Sequence, residues 1–252
     1  MYKLPVSVII TCKDLHQYLE ESYKSLENQT MRPTEIIIIH DGCQPAPVFK
    51  GTTTVFRDIN RGVSFSRNEG ANIATSDTLL FLDADDTLDE YFIEAMVKTK
   101  EKTRADIVYP NVLLWSNWHK DIKMKNAWHE SPNKITWKNM LDFNQIVVSC
   151  FIPKKLYFEV GGMANLPILE DYDFFLKCLK QGATFAKSPA SVLRYRQREE
   201  GRNRKSHELK NEFTYTIRDK YASTRTKFHP QIIQLLRNVP GAGGATIGTE
   251  CE

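Results

Sequence analysis

Three unbroken apolar runs constrain this chain more than any other feature. Val6-Ser7-Val8-Ile9-Ile10-Thr11, Glu35 followed by isoleucine at every position from Ile36 to Ile39, and Thr78-Leu79-Leu80-Phe81-Leu82 are continuous rather than alternating. A strand with no polar face is covered on both faces, which is the situation of central strands in a parallel sheet. Leu15, Leu19, Tyr23 and Leu26 recur at helical spacing after the first run, Val63 to Ala74 reads as helical before the third, and Tyr91 to Lys102 is amphipathic after it. A shorter strand is read at Thr53 to Phe56. The alternation predicts an α/β fold, Rossmann-like, with a central, mostly parallel sheet flanked by helices.

Ligands of open α/β sheets bind beyond the carboxyl ends of the strands. Those ends carry Thr11-Cys12-Lys13-Asp14, His40-Asp41-Gly42 and Asp83-Ala84-Asp85-Asp86, which converge on one crevice. The last is the most telling. Carboxylates packed this closely raise one another's pKa unless a cation sits among them. Hard oxygen donors at a strand mouth suit Mg²⁺ or Mn²⁺ shared with substrate phosphates. A calcium loop is the rival reading, since Asp83, Asp85, Thr87, Asp89 and Glu94 fall at its ligand spacing. Leu88 stands where that loop needs glycine, and a strand precedes it instead of a helix. Helix capping by Asp86 or Thr87 explains one carboxylate and not three.

The second half is less regular. Strands are read at Asp106 to Trp115, Gln145 to Ile152 and Ser191 to Tyr195, and helices at Glu170 to Lys180 and His207 to Tyr221. Trp115, Trp118, Trp128 and Trp137 cluster in sequence, and Arg194 to Lys205 is basic and aperiodic. The 252 residues allow one large domain, and 41% hydrophobic with 26% charged residues is an ordinary globular composition. A net charge of +3 does not argue for nucleic acid. No stretch approaches the roughly 20 apolar residues of a membrane helix, and Met1 to Pro5 leads directly into a strand, so no signal peptide is expected. Five scattered cysteines without a Cys-x-x-Cys fit reduced thiols in a cytoplasmic protein; Cys12 and Cys43, on neighbouring strand ends, are read as packing residues.

The order of Val6 to Thr11, Ile39-His40-Asp41-Gly42, Arg67-Asn68-Glu69-Gly70, Leu82-Asp83-Ala84-Asp85-Asp86, Gly161-Gly162 and Glu170-Asp171-Tyr172-Asp173 resembles family 2 of the inverting nucleotide-sugar glycosyltransferases, with the GT-A fold, over roughly residues 4 to 200. The resemblance implies one catalytic domain over residues 1–227, with a nucleotide-sugar-binding half (1–110) and an acceptor-binding half with a lid (111–227). A flexible tail is expected over 228–252. It also implies donor contacts from Thr11, Cys12, Asp41, Arg67, Asp83 and Ala84. Asp41 accepts a hydrogen bond from the base, Asp85 with Asp83 holds Mn²⁺ or Mg²⁺, and Asp171 is the base that deprotonates the acceptor, with Glu170 orienting it or binding acceptor. The chain departs from the pattern at His40, where the family has Asp. It departs again at Cys12-Lys13, where an aromatic residue is common, and at Arg196 and Arg198, where many members have a metal- or phosphate-binding His.

The expected activity is therefore metal-dependent inverting transfer of a sugar, most simply from a UDP-sugar, to an acceptor hydroxyl in glycan or surface polysaccharide synthesis. The acceptor is left open among carbohydrate, lipid-linked sugar, protein and nucleic acid, with peripheral membrane attachment allowed. Two alternatives compete with this activity. A sugar-phosphate nucleotidyltransferase needs a Gly-rich loop after the first strand, and Thr11-Cys12-Lys13-Asp14 has no glycine. A non-catalytic carbohydrate-binding module would not need two intact acidic centres. The terminal Gly241 to Thr246 run has no helix after it to serve as a phosphate loop.

Overall fold

A computed structural model describes residues 4–43, 46–116, 126–198 and 207–222. The first half alternates as the apolar runs predict: β1 (Val6–Cys12), α1 (His16–Glu27), β2 (Glu35–Asp41), β3 (Thr53–Arg57), α2 (Val63–Ile73), β4 (Thr78–Asp83), a two-residue β5 (Thr87–Leu88) and α3 (Phe92–Thr103). The second half contains β6 (Ile107–Trp115), β7 (Asn126–His129), α4 (Trp137–Asp142), β8 (Phe151–Pro153), α5 (Lys154–Glu159), α6 (Glu170–Lys180), β9 (Phe185–Arg196) and α7 (His207–Ala222). One sheet runs through both halves in the order β3-β2-β1-β4-β8-β6-β9-β5, with β7 on the side of β6. The first four strands are mutually parallel. β8 enters antiparallel to both β4 and β6; beyond it β6 and β9 pair in parallel, while β7 joins β6 and β5 joins β9 antiparallel.

The unbroken apolar runs are explained by what covers them. Ile9, Ile37, Ile39, Leu79 and Phe81 point to one face, where Ala71 of α2 and Tyr172, Phe175 and Leu176 of α6 complete the layer. Val8, Ile10, Ile38, Leu80 and Leu82 point to the other, against Leu19 and Leu26 of α1 and Phe92 and Met96 of α3. Each such side chain contributes about 2 kcal/mol on burial. α2 lies so close on β1 that a Cβ at Gly70 would overlap Ile9.

The structure departs from the sequence reading in three places. The strand expected over Gln145 to Ile152 pairs only at Phe151–Pro153, because Cys150 N–H turns back to the Val148 carbonyl instead of a neighbouring strand. Ile146, Val148 and Cys150 are still buried, which is the signal that imitated a strand. β5, β7, α4 and α5 were not anticipated; two to six residues carry no readable period. α4 did carry a cap signal, since Thr136 Oγ1 accepts from Asn139 N–H and Asn139 Oδ1 from Thr136 N–H. β9 is longer than expected, its ladder with β6 shifting register between Tyr109 and Asn111. Among the described residues no helix is long and apolar enough to cross a membrane. Trp118, residues 199–205 of the expected lid and the tail at 228–252 lie outside the described residues.

Candidate active site

Parallel pairing aligns the carboxyl ends of the first strands. Thr11 sits opposite Asp83, Cys12 opposite His40, and Asp41 opposite Arg57. The Asp41 carboxylate is buried and already accepts from Arg61 N–H (2.8 Å), Gly62 N–H (2.8 Å) and Arg57 Nη1 (3.0 Å), so it holds the loop before α2 against the end of β2. A carboxylate has about four acceptor positions, which leaves room for one further donor. Gly42 permits this closeness: its φ is +70°, and a Cβ there would overlap the Asn60 backbone. His40 is fully buried and stacks on Phe56 at 5.0 Å. Burial and then the neighbouring His16 hold it below the usual histidine range. Burial pushes the Cys12 thiol up to about 12. Cys12 and Ala84 are buried and present almost no side-chain surface at these strand ends.

The tetrad emerges from β4 through a tight turn in which Asp86 N–H donates to the Asp83 carbonyl (3.0 Å). Its three carboxylates are sorted by their partners. Asp86 is buried, and its Oδ1 accepts from the Arg196 backbone N–H at 2.9 Å. Asp85 accepts from Arg198 Nε at 2.6 Å. Asp83 accepts from Arg67 Nη2 at 2.7 Å and keeps a third of its surface exposed. Burial raises Asp85 above the ordinary carboxylate range, and Asp83 adds to this while Arg198 opposes it. Asp86 lies well above that range, through burial and then the Asp85 and Asp83 charges. A divalent cation held by Asp83 and Asp85 is the chemistry that relieves this crowding, so the donor set fits Mg²⁺ or Mn²⁺.

Arg196 does not belong to a loose basic loop. It ends β9 with its guanidinium between Trp115 (3.9 Å) and Tyr18 (4.6 Å), its Nε donates to the Asp85 carbonyl at 2.8 Å, and it pairs with Glu21. Its aromatic clamp and its bond to the Asp85 carbonyl hold it against the tetrad. Arg198 shares the side of Tyr18 and reaches the Asp85 carboxylate directly, as Arg67 reaches that of Asp83.

The second acidic centre is joined to the first by Arg67. This side chain, 2% exposed on α2, donates from Nη1 to Glu170 Oε1 at 2.7 Å and from Nη2 to Asp83 Oδ1 at 2.7 Å. Burial alone would favour its neutral form, but Asp83 and Glu170, with Asp171 nearby, hold it firmly charged. Next to it, Asn68 Oδ1 accepts from Met163 N–H (3.0 Å) and Tyr157 OH (2.6 Å), and Asn68 Nδ2 donates to the Met163 carbonyl (2.8 Å). Gly162, at φ +64°, lies so near that a Cβ would come within 2.7 Å of that oxygen. The Arg67-Asn68 and Gly161-Gly162 motifs are thus two sides of one contact.

Glu170 and Asp171 open α6, where negative charge favours the helix dipole. Leu169 before them takes the left-handed conformation, φ 60°. Asp171 is half-buried, with Oδ2 accepting from Asn144 Nδ2 at 3.1 Å and Oδ1 from the Tyr172 N–H at 2.8 Å. Glu170 pairs with Arg67 and through it braces the tetrad. Asn144, Arg57 and Tyr18 were missed by sequence reasoning, for none stands in a motif. Of the tryptophans clustered in sequence, Trp115 backs Arg196, Trp137 packs on Tyr221, and Trp128 is exposed on β7.

Comparison with known proteins agrees with this geometry. The chain matches the profile described as Glycosyl transferase family 2 over residues 7–156. It is 27% identical over 189 residues to an uncharacterized glycosyltransferase of Haemophilus influenzae, covering 70% of this chain and 62% of that one. It is 32% identical over 110 residues to the glucosyl-dolichyl phosphate glucuronosyltransferase of Haloferax volcanii, covering 39% of this chain and 34% of that one. The chain thus spans less than two thirds of either relative. Crystalline S. aureus TarS 1–349 in complex with UDP-GlcNAc superposes with a TM-score of 0.65 at 13% identity, covering 86% of this chain and 71% of that one. The shared architecture is the expected GT-A fold. With the matched profile spanning more than half its length, the chain belongs to glycosyl transferase family 2.

Proposed function

We propose that this chain transfers a sugar, with inversion, from a nucleoside-diphosphate donor to an acceptor hydroxyl, and that the donor is a UDP-sugar. The observation that carries the reading is the buried Arg67 bridge, which holds the end of the Asp-x-Asp strand and the Glu170-Asp171 pair in one rigid unit. Inverting transfer needs one group to manage the charge that departs and another to take the proton of the hydroxyl that arrives. Asp83 and Asp85 would hold Mn²⁺ or Mg²⁺, which when bound supplies charge neutralisation on the departing diphosphate. Asp171, kept in place by Asn144 and by its position at the start of α6, takes the acceptor proton at a carboxylate oxygen. Thr11 and Asp41, on adjacent strand ends, lie along the base and ribose. The TarS complex contains a UDP-sugar, which supports the donor class.

Four described cysteines are free and buried, which supports a reducing, cytoplasmic setting. Glycan or surface polysaccharide synthesis is the pathway class that such a donor serves. The test is a nucleotide-sugar panel screened by thermal shift with and without Mn²⁺, followed by assay of nucleoside diphosphate release with candidate acceptors. Metal-dependent stabilisation by one UDP-sugar and release of UDP are expected. Indifference to every nucleotide-sugar, or release of pyrophosphate, overturns the reading.

A further inference from the structure

The chain departs from its family pattern at His40 and Cys12, and the fold brings these two together with His16 and Cys43. Each of the four offers one ligand atom, and all four atoms lie within 4.8 Å of one another. Cys43 Sγ is 4.0 Å from His40 Nδ1, and the His16 and His40 rings meet edge to face at 5.6 Å.

The local backbone explains the gathering. Cys12 ends β1 opposite His40 of β2. Asp14, at φ 54°, turns the chain so that His16 opens α1 beside them, and Gly42, at φ +70°, returns Cys43 to the same point. The resulting spacings are Cys12-x-x-x-His16 and His40-x-x-Cys43. Cys12, His40 and Cys43 are at most 4% exposed. The cluster contains polar atoms that the protein does not satisfy: Nε2 of His16 and Nε2 of His40 are buried without a hydrogen-bond partner. Each orphaned group of this kind costs about 1–3 kcal/mol, and two in contact with two thiols are hard to explain as packing.

We infer that Cys12, His16, His40 and Cys43 form a closed, four-coordinate zinc site, separate from the Asp83–Asp85 centre. Zinc–sulfur and zinc–nitrogen bonds of about 2.3 and 2.0–2.1 Å place tetrahedral ligand atoms roughly 3.3–3.8 Å apart. The observed spread closes to that by side-chain rotation of about 1 Å. Binding expels the two thiol protons to solvent, and two thiolates with Zn²⁺ make a neutral buried centre. Two sulfur and two nitrogen donors select zinc, whereas the carboxylate oxygens of Asp83 and Asp85 suit Mg²⁺ or Mn²⁺. The site ties the end of β1, the start of α1 and the loop after β2 into one brace beside Asp41. It requires no sugar transfer and stands apart from the proposed activity.

The test uses tag-free full-length chain purified without chelator. Elemental analysis after dialysis against Mg²⁺ should find about one zinc per chain. Stripped protein titrated with Co²⁺ should show the intense visible bands of a tetrahedral site and thiolate-to-cobalt charge transfer. Cys43→Ser and His16→Gln should each weaken metal retention about tenfold or more, while Asp85→Asn leaves it unchanged. His16 lies at the half-buried start of α1, so its variant reads the site even where loss of Cys43 impairs folding. The proposal is overturned if natively folded wild-type protein holds no zinc and gives no thiolate–cobalt band. It is overturned equally if zinc survives both ligand substitutions, or if the intact mass shows a Cys12–Cys43 disulfide instead of two metal-binding thiols.

Discussion

Arg67 and Glu170 stand 103 positions apart in sequence and 2.7 Å apart in space, each 2% exposed. The pair is extended by Asp83, which takes the other guanidinium nitrogen. A planar fork with fixed charge is what one side chain needs to hold two carboxylates at once, and lysine offers only a point charge. Arg67 therefore works as the spacer between the family's two acidic motifs, and a phosphate would have to displace one of them to reach it.

Removing one member of this buried network leaves the others uncompensated. Arg67→Ala is expected to cost about 3–5 kcal/mol in urea denaturation. Arg67→Lys should recover much of that stability while leaving transfer well below wild type, because it cannot grip Asp83 and Glu170 together. Full activity in Arg67→Lys would show that the bridge does not position the site.

Asp171→Asn keeps the size of the side chain and its place beside Asn144 but abolishes its basicity. Turnover should fall about 10²–10⁴-fold, with donor affinity by calorimetry within a few-fold of wild type and little change in Tm. Near-normal turnover would exclude Asp171 as the base.

Asp85→Asn separates charge crowding from metal binding. Burial and Asp83 raise the Asp85 carboxyl, and Arg198 only partly offsets them. Without divalent cation the variant should melt no lower than wild type, whereas the stabilisation that Mn²⁺ with nucleotide confers on wild type should disappear. The comparison is two melting curves per protein, with and without Mn²⁺ and UDP.

Asp173 predicts an acid-sensitive anchor. Its fully buried carboxylate accepts from Lys220 Nζ (2.6 Å) and Tyr221 OH (2.9 Å) of α7, and pairs with Lys177 at 3.1 Å. Burial would raise it, but Lys177 and Lys220 prevail and hold it below 3.8. A carboxyl depressed on folding stabilises the native state above its unfolded pKa, and that contribution fades as pH falls through the folded value. Asp173→Asn should lower stability by about 1–3 kcal/mol at neutral pH and flatten the fall in Tm below pH 4. Proteolysis within α7 should accelerate in the variant at neutral pH.

The sequence by itself determined the first half of the sheet and the approximate placing of the acidic centres. Ile36 to Ile39 and Thr78 to Leu82 have no polar face, so they had to be central strands, and parallel strands put Asp41 and Asp83 at one edge. The start of α6 at Glu170 was equally legible, because acidic residues and an apolar period mark it together. Tertiary structure alone decided that Arg67 lies between Asp83 and Glu170. It alone clamped Arg196 between Trp115 and Tyr18, and brought His16 and His40 to the two cysteines. The reason is physical: periodicity reports which face of one element is covered, but it carries no information about which distant element does the covering. Contacts across 16 to 178 positions form only when the sheet order and the loop turns at Asp14, Gly42 and Gly162 have been set.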